Sequence, residues 1–222
     1  MKIYGFYYVA MMNDWEIVFS EQLEKLQNSK LYANTDKLFL RINNPNNYNF
    51  PKISDHKIQL DLSNKNTFEF SSLNKMKQLS KNDDFYCYYF HTKGVSICEE
   101  NKTFYHGSKN LSHLKSCVSD WRNYMEYYLI DRYEDNIDKL NNGFDACGVQ
   151  LSRAQNPIYF TFSGNFWWSK SDYIKILPEF TTEFINNRWN AETWIGMGDG
   201  KLYNFHTNNA GYMERITENY KI

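Results

Sequence analysis

The residues best placed by type and spacing to do chemistry are His91-Thr92-Lys93-Gly94, which follow at once on the aromatic and Cys run Phe85 to Phe90. Such a run is too short for a helix and rich in strand formers, so it reads as a strand buried on both faces. Two potential cations, a hydroxyl and a glycine at its carboxyl end suit a ligand carrying negative charge, because open α/β sheets bind ligands at that end. An ordinary polar turn after a core strand is the competing reading.

A second group is Ser163-Gly164-Asn165-Phe166-Trp167-Trp168. A Gly-Asn pair at a strand end lets the backbone approach a ligand. Adjacent Trp167 and Trp168 point to opposite faces if extended, so one at most paves a sugar or a base while the other enters the core. Both as core is the alternative. Arg122 shares the apolar stripe of Val118, Met125 and Leu129. A buried arginine needs an anionic partner, either a carboxylate such as Glu126 or a ligand phosphate.

The elements that must hold these groups follow a β-α-β pattern. Lys2 to Val9 reads as a strand and Ala10 to Asn13 as its loop. Asn13 with Glu16 resembles a capping box before a helix carrying Trp15, Val18, Phe19, Leu23 and Leu26 on one stripe. Lys37 to Ile42 and Lys57 to Leu62 read as strands, and Thr67 as the cap of a helix leading into the Phe85 strand. Val95 to Leu111 reads as a lid or substrate loop, and Ser112 to Arg132 as one long helix. Then come a strand from Phe144 to Gln150, a short β run at Tyr159 to Phe162, helices at Ser169 to Leu177 and Thr181 to Asn190, and a strand from Leu202 to His206. No boundary divides the chain, so one α/β domain over 1–222 is expected, with a mostly parallel sheet and helices on both faces.

Composition narrows the classes. A net charge of -1 over 222 residues gives no electrostatic case for nucleic acid. The apolar N-terminus reads as a strand and not a signal peptide, and no apolar run approaches a membrane span. Four cysteines without CxxC spacing fit a reducing, cytoplasmic setting. The Rossmann and Walker glycine spacings, HExxH and GxSxG are absent, and the five histidines do not fall at metal-ligand spacings.

His91-Thr92-Lys93 followed about 30 residues later by Asp120-Trp121-Arg122 resembles the pattern of rhamnan synthesis protein F-like glycosyltransferases. The chain also looks like glycosyltransferase-like proteins of surface-polysaccharide and viral glycan loci. Tyr4, Leu31-Tyr32, Glu69, Leu73, Asp145, Gly148, Ser163 to Trp168 and Ala191 to Trp194 extend the likeness over nearly the whole chain. The resemblance implies a GT-A-type (Rossmann-like) domain that moves a sugar, as a hexosyl- or deoxyhexosyltransferase, from a nucleotide-diphosphate-sugar donor to a glycan or glycolipid acceptor. It implies that Ala10, Met11 and Asn13 take the base and ribose, that His91, Lys93 and Arg122 hold the diphosphate with Thr92 and Gly94 also on the donor, and that Ser163, Gly164, Asn165, Trp167 and Trp168 face sugar and acceptor. Glu192 becomes the acid-base candidate and Asp145 the next. GT-A enzymes hold Mn or Mg with an Asp-x-Asp after the strand; here His91-Thr92-Lys93 takes that place, and Asp83-Asp84 lies before the strand. Metal dependence stays open, with His206 as a late ligand. Peripheral contact with a membrane surface stays open as well, without a transmembrane segment. A non-catalytic nucleotide-sugar or carbohydrate-binding module and a phosphohydrolase are the rival readings.

Overall fold

The computed structural model describes residues 1–65, 67–101, 110–153, 159–210 and 214–221. Its centre is a seven-stranded sheet in the order β3-β2-β1-β4-β8-β5-β9. The strands are β1 (Lys2–Ala10), β2 (Lys37–Asn43), β3 (Ile58–Ser63), β4 (Phe85–His91), β5 (Ala146–Gly148), β8 (Trp167–Lys170) and β9 (Leu202–Asn204). All run parallel except β8, which is antiparallel to both β4 and β5. Short strands β6 (Leu151–Arg153) and β7 (Phe160–Phe162) pair separately.

Helices cover both faces, as expected. On one lie α1 (Trp15–Gln27), α2 (Lys30–Asn34), α4 (Leu111–Glu126) and α5 (Tyr133–Asn141), packed on Tyr7, Val9, Leu40, Tyr88, Phe90 and Trp168. On the other lie α3 (Phe70–Ser80), α6 (Ser171–Ile176) and α8 (Trp189–Thr193), packed on Phe6, Tyr8, Tyr89 and Trp167, with α7 (Thr182–Ile185) outside them. Strands buried on both faces are apolar at successive positions, which is why β1 and β4 read as near-continuous runs rich in aromatics.

Several local expectations differ. Asn13 is no cap: it holds a left-handed conformation (φ 45°), and Asp14, ahead of α1, makes no side-chain cap bond. Thr67 does not cap α3, which Glu69 precedes. The long helix stops at Glu126 and passes through a π-helical turn, Tyr127–Asp131, before α5. The Thr181 to Asn190 helix is two short ones, α7 and α8. Of the loop expected as a lid, residues 102–109 lie outside the described residues. The largest difference is at Trp167-Trp168, which opens strand β8 instead of a loop or a helix approach. A strand between two others on a doubly covered sheet buries both faces, and the two indoles are 1% and 0% exposed. Neither lines a ligand surface.

Candidate functional site

The register fixes which end of the sheet each group occupies. Tyr8 lies level with His91, and Ala10 with Asn43, so the loops after β1, β2 and β4 share one rim. Because β8 is reversed, its start and not its end reaches that rim: Trp167 pairs with Tyr89, which places Ser163 to Phe166 beside His91. Asp145 precedes β5, and its neighbour Ala146 lies level with Ser169 and hence Cys87. It therefore sits at the opposite end of the sheet, paired with Lys170 at 3.0 Å and accepting from the Lys201 amide at 2.8 Å. Asp145 is no part of the site, for the same reason that Asp83 is not: both precede their strands.

Along β4 the side chains alternate, so His91 joins Tyr89 on the α3 and α8 face. There the Tyr89 hydroxyl and the Asn165 amide both donate to Glu69 Oε2, each at 2.6 Å. Asn165 also donates to the Ala191 carbonyl at 3.3 Å and accepts from the Trp167 indole at 2.7 Å. One buried amide, in a left-handed conformation (φ 59°), thereby joins the start of β8 to α3 and to the helix that carries Glu192. Glu69 and Glu192 are both half-buried. The Thr161 hydroxyl donates to the Glu192 carbonyl at 2.6 Å, which fixes α8 against β7.

His91 Nε2 is 3.0 Å from the Gly164 carbonyl, and its ring lies between Tyr89 and Phe166. Burial pushes its imidazole below the ordinary value; the Glu69 and Glu192 carboxylates pull the other way, and Lys93 adds to the lowering. The expectation of a cation at His91 is thus corrected: the half-buried ring is held toward its neutral form. Lys93 remains the cation of the turn.

Of the other expected donor contacts, Thr92 and Met11 are buried. Thr92 Oγ1 accepts from the Ala10 amide at 3.0 Å, while the Thr92 and Met11 amides donate to Tyr8 and Asn43 carbonyls. They are ties between strands, so only Ala10, Asn13, Lys93 and Gly94 stay partly or fully exposed beside the half-buried His91. Asn13 Nδ2 donates to the Val95 carbonyl at 2.7 Å and locks the first loop to the one after β4. Arg122, 6% exposed, is committed below the rim. It donates to Glu21 at 2.9 Å and to the Lys93 carbonyl at 3.3 Å, and its Nε lies 3.7 Å from Glu126. Gln22 closes the network, donating to Glu126 at 2.8 Å and to the His91 carbonyl at 3.3 Å. The partner of Arg122 is a pair of carboxylates, and the guanidinium braces the His91 to Lys93 turn from behind.

Gly164 (φ 95°) and Gly94 (φ 93°) also serve packing. A Cβ on the first would overlap the Met125 sulfur, and on the second the Val118 side chain, so both glycines let the rim loops rest on α4. Ser163 is half-buried, 3.1 Å from Ser152.

The turn at the end of β4 offers one imidazole and a lysine but no carboxylate of its own, too few donors for a divalent cation. Among the described residues no three or more His, Cys, Asp or Glu side chains converge on a point. His206 is tied through Nδ1 to the Tyr124 hydroxyl at 2.9 Å and packed against Tyr124 and Tyr128. A cavity of about 510 Å³ lies elsewhere, along α1 beneath Phe50 and Pro51. Its lining contains Glu16 and Glu24 but no cation, so it offers no charged partner to a phosphate.

The groups missed by sequence reading are Glu69, Tyr89 and Asn165 as a unit. Glu69 was visible only as a matching position of the resemblance, because nothing in a helix-opening glutamate says which strand end it faces. No helix among the described residues is long and apolar enough to cross a membrane.

No protein-family model matches the chain, and no curated protein matches it. Among solved structures it is similar to 4-diphosphocytidyl-2C-methyl-D-erythritol synthase from Anaerococcus prevotii. The identity is 12% and the TM-score 0.45, with 99% of this chain and 92% of that chain covered.

Proposed function

We propose that the chain is a glycosyltransferase that moves a sugar from a nucleoside-diphosphate-sugar donor to a hydroxyl of a glycan or glycolipid. One observation carries this reading: a lysine turn and three groups able to accept or hold a proton meet at the carboxyl end of the parallel strands. Lys93 is placed to offset the charge that builds on the diphosphate as its bond to the sugar breaks. His91, Glu69 and Glu192 stand beside it on the acceptor side. The resemblance of His91-Thr92-Lys93 and Asp120-Trp121-Arg122 to rhamnan synthesis protein F-like enzymes supports the same reading, as does a mostly parallel sheet of the kind a GT-A domain needs. No step here uses a metal, since the donors after β4 do not suit one. A cytoplasmic enzyme meeting glycolipid at a membrane surface fits the proposal.

The test pairs binding with turnover. Nucleoside-diphosphate sugars are screened by thermal shift, where a ligand at about 100 times its dissociation constant adds about 2.7 kcal/mol. Binding donors are then incubated with glycan acceptors. Release of nucleoside diphosphate only when acceptor is present is the expected result. Binding without release returns the chain to a non-catalytic module, and release without acceptor to a hydrolase.

A further inference from the structure

The Gly164 carbonyl oxygen can only accept a hydrogen bond. The nitrogen 3.0 Å away, His91 Nε2, must therefore carry a proton. In a neutral ring the other nitrogen, Nδ1, then presents a lone pair. Among the described residues no donor reaches Nδ1. Tyr89, with its ring centroid 6.4 Å away and nearly parallel, and Phe166, edge-on at 5.5 Å, flank the ring. On the same face, Glu69 Oε2 is fixed by two donors while no donor among the described residues reaches Oε1.

We propose that His91 is the base of the reaction, accepting the proton of the sugar acceptor's hydroxyl on Nδ1, and that Glu69 and Glu192 are the positioning residues that stabilise the imidazolium. The inference rests on the glycosyl-transfer reading above. In the step, the acceptor oxygen forms a bond to the anomeric carbon while its proton passes to Nδ1. The bond from that carbon to the diphosphate oxygen breaks, and its electron pair leaves on the nucleoside diphosphate. His91 returns the proton to solvent after product release. A single displacement of this kind inverts the anomeric centre.

The charged groups facing the ring are Glu69 from the start of α3, Glu192 from α8 and Lys93 from its own turn. The carboxylates favour the protonated ring, and burial and Lys93 oppose it. A base of this design is neutral before the reaction and is stabilised as the proton arrives.

The experiment uses wild type, His91→Gln and Glu69→Gln with a donor identified in the thermal-shift screen. Transfer by His91→Gln is expected to fall about 10²- to 10⁴-fold, the usual contribution of a general base, with donor affinity unchanged. In Glu69→Gln the acidic limb of the kcat profile moves to lower pH, because the ring loses a carboxylate that raises its proton affinity. Nitrogen-15 spectra of wild type near pH 7.5 show Nε2 protonated and Nδ1 bare, a readout independent of any variant's folding. Wild-type transfer by His91→Gln, a loss of donor binding as large as the loss of transfer, or a protonated Nδ1 each overturns the assignment. Failure of wild type to move sugar from any donor overturns the glycosyl reading and the base role with it. Transfer by wild type that His91→Gln matches removes the base role alone.

Discussion

Lys93 and His91 are two residues apart, yet the structure gives them opposite work. The lysine ends a turn whose carbonyl is held by Arg122 at 3.3 Å, while the histidine lies against the sheet under Tyr89 and Phe166. Lys93→Ala is expected to weaken nucleoside diphosphate binding by roughly 10- to 150-fold, the equivalent of about 1.5–3 kcal/mol for a charge-assisted hydrogen bond. Calorimetry would measure it, with the melting temperature nearly unchanged; equal losses of fold and affinity would remove Lys93 from the site. Asn165 belongs to the other kind. Asn165→Ala strips a partner from the Glu69 carboxylate and from the Trp167 indole. A buried group left unsatisfied costs about 1–3 kcal/mol, so chemical unfolding should show a loss of at least that size.

Elements explain which parts of this were legible. Strands β1, β2 and β4 were readable because burial on both faces gives near-continuous apolar runs, broken in β2 only by Arg41. The helices between them were readable from their stripes. Strand β8 was not, since four residues beginning Trp-Trp carry no periodicity, and only pairing with β4 and β5 reveals them as a strand. The same gap put the indoles at the ligand and left Asn165 as a loop residue. Asp145 could have been rejected from sequence by the rule that removed Asp83-Asp84, because a residue before a parallel strand lies at the wrong end. Arg122 was readable as buried but not as braced, because Glu21 and Gln22 come from another helix. Its place between α1 and α4 gives a sharp expectation. Arg122→Met leaves Glu126, whose proton affinity burial already raises, with Lys25 at 3.5 Å as its one cation among the described residues. Breaking a buried pair from one side costs about 3–5 kcal/mol, and adding Glu126→Gln should recover part of it. If the double variant is no more stable than the single one, the network is not what holds α1 to α4.

For the whole molecule, His91 ties stability to pH. Its folded value lies below the ordinary 6.5 because burial disfavours the charged ring. Between the folded value and 6.5 the unfolded chain binds a proton that the folded chain does not, so stability falls as the solution is acidified through that window. Above 6.5 the contribution is fully present. Melting curves of wild type and His91→Gln should therefore converge or cross as pH drops from about 7, and other titrating groups cancel in the difference. Parallel curves would mean that the ring is not desolvated.

The reversed strand has a consequence for how the chain comes to be active. Tyr88 and Trp168 pair across 80 positions of sequence; the β1–β4 pairs, such as Gly5 with Tyr88, span 83, but both of those strands lie within the first 91 residues. The contacts of β8 with β4 must wait until residues 167–170 have been made. The half of the sheet that carries Lys93 can thus assemble while the ribosome is still making the half that carries Asn165 and Glu192. A nascent chain halted before residue 160 would hold Glu69, His91 and the Lys93 turn without Asn165 and Glu192. The rim is complete only with the last quarter of synthesis, when β8 pairs with β4.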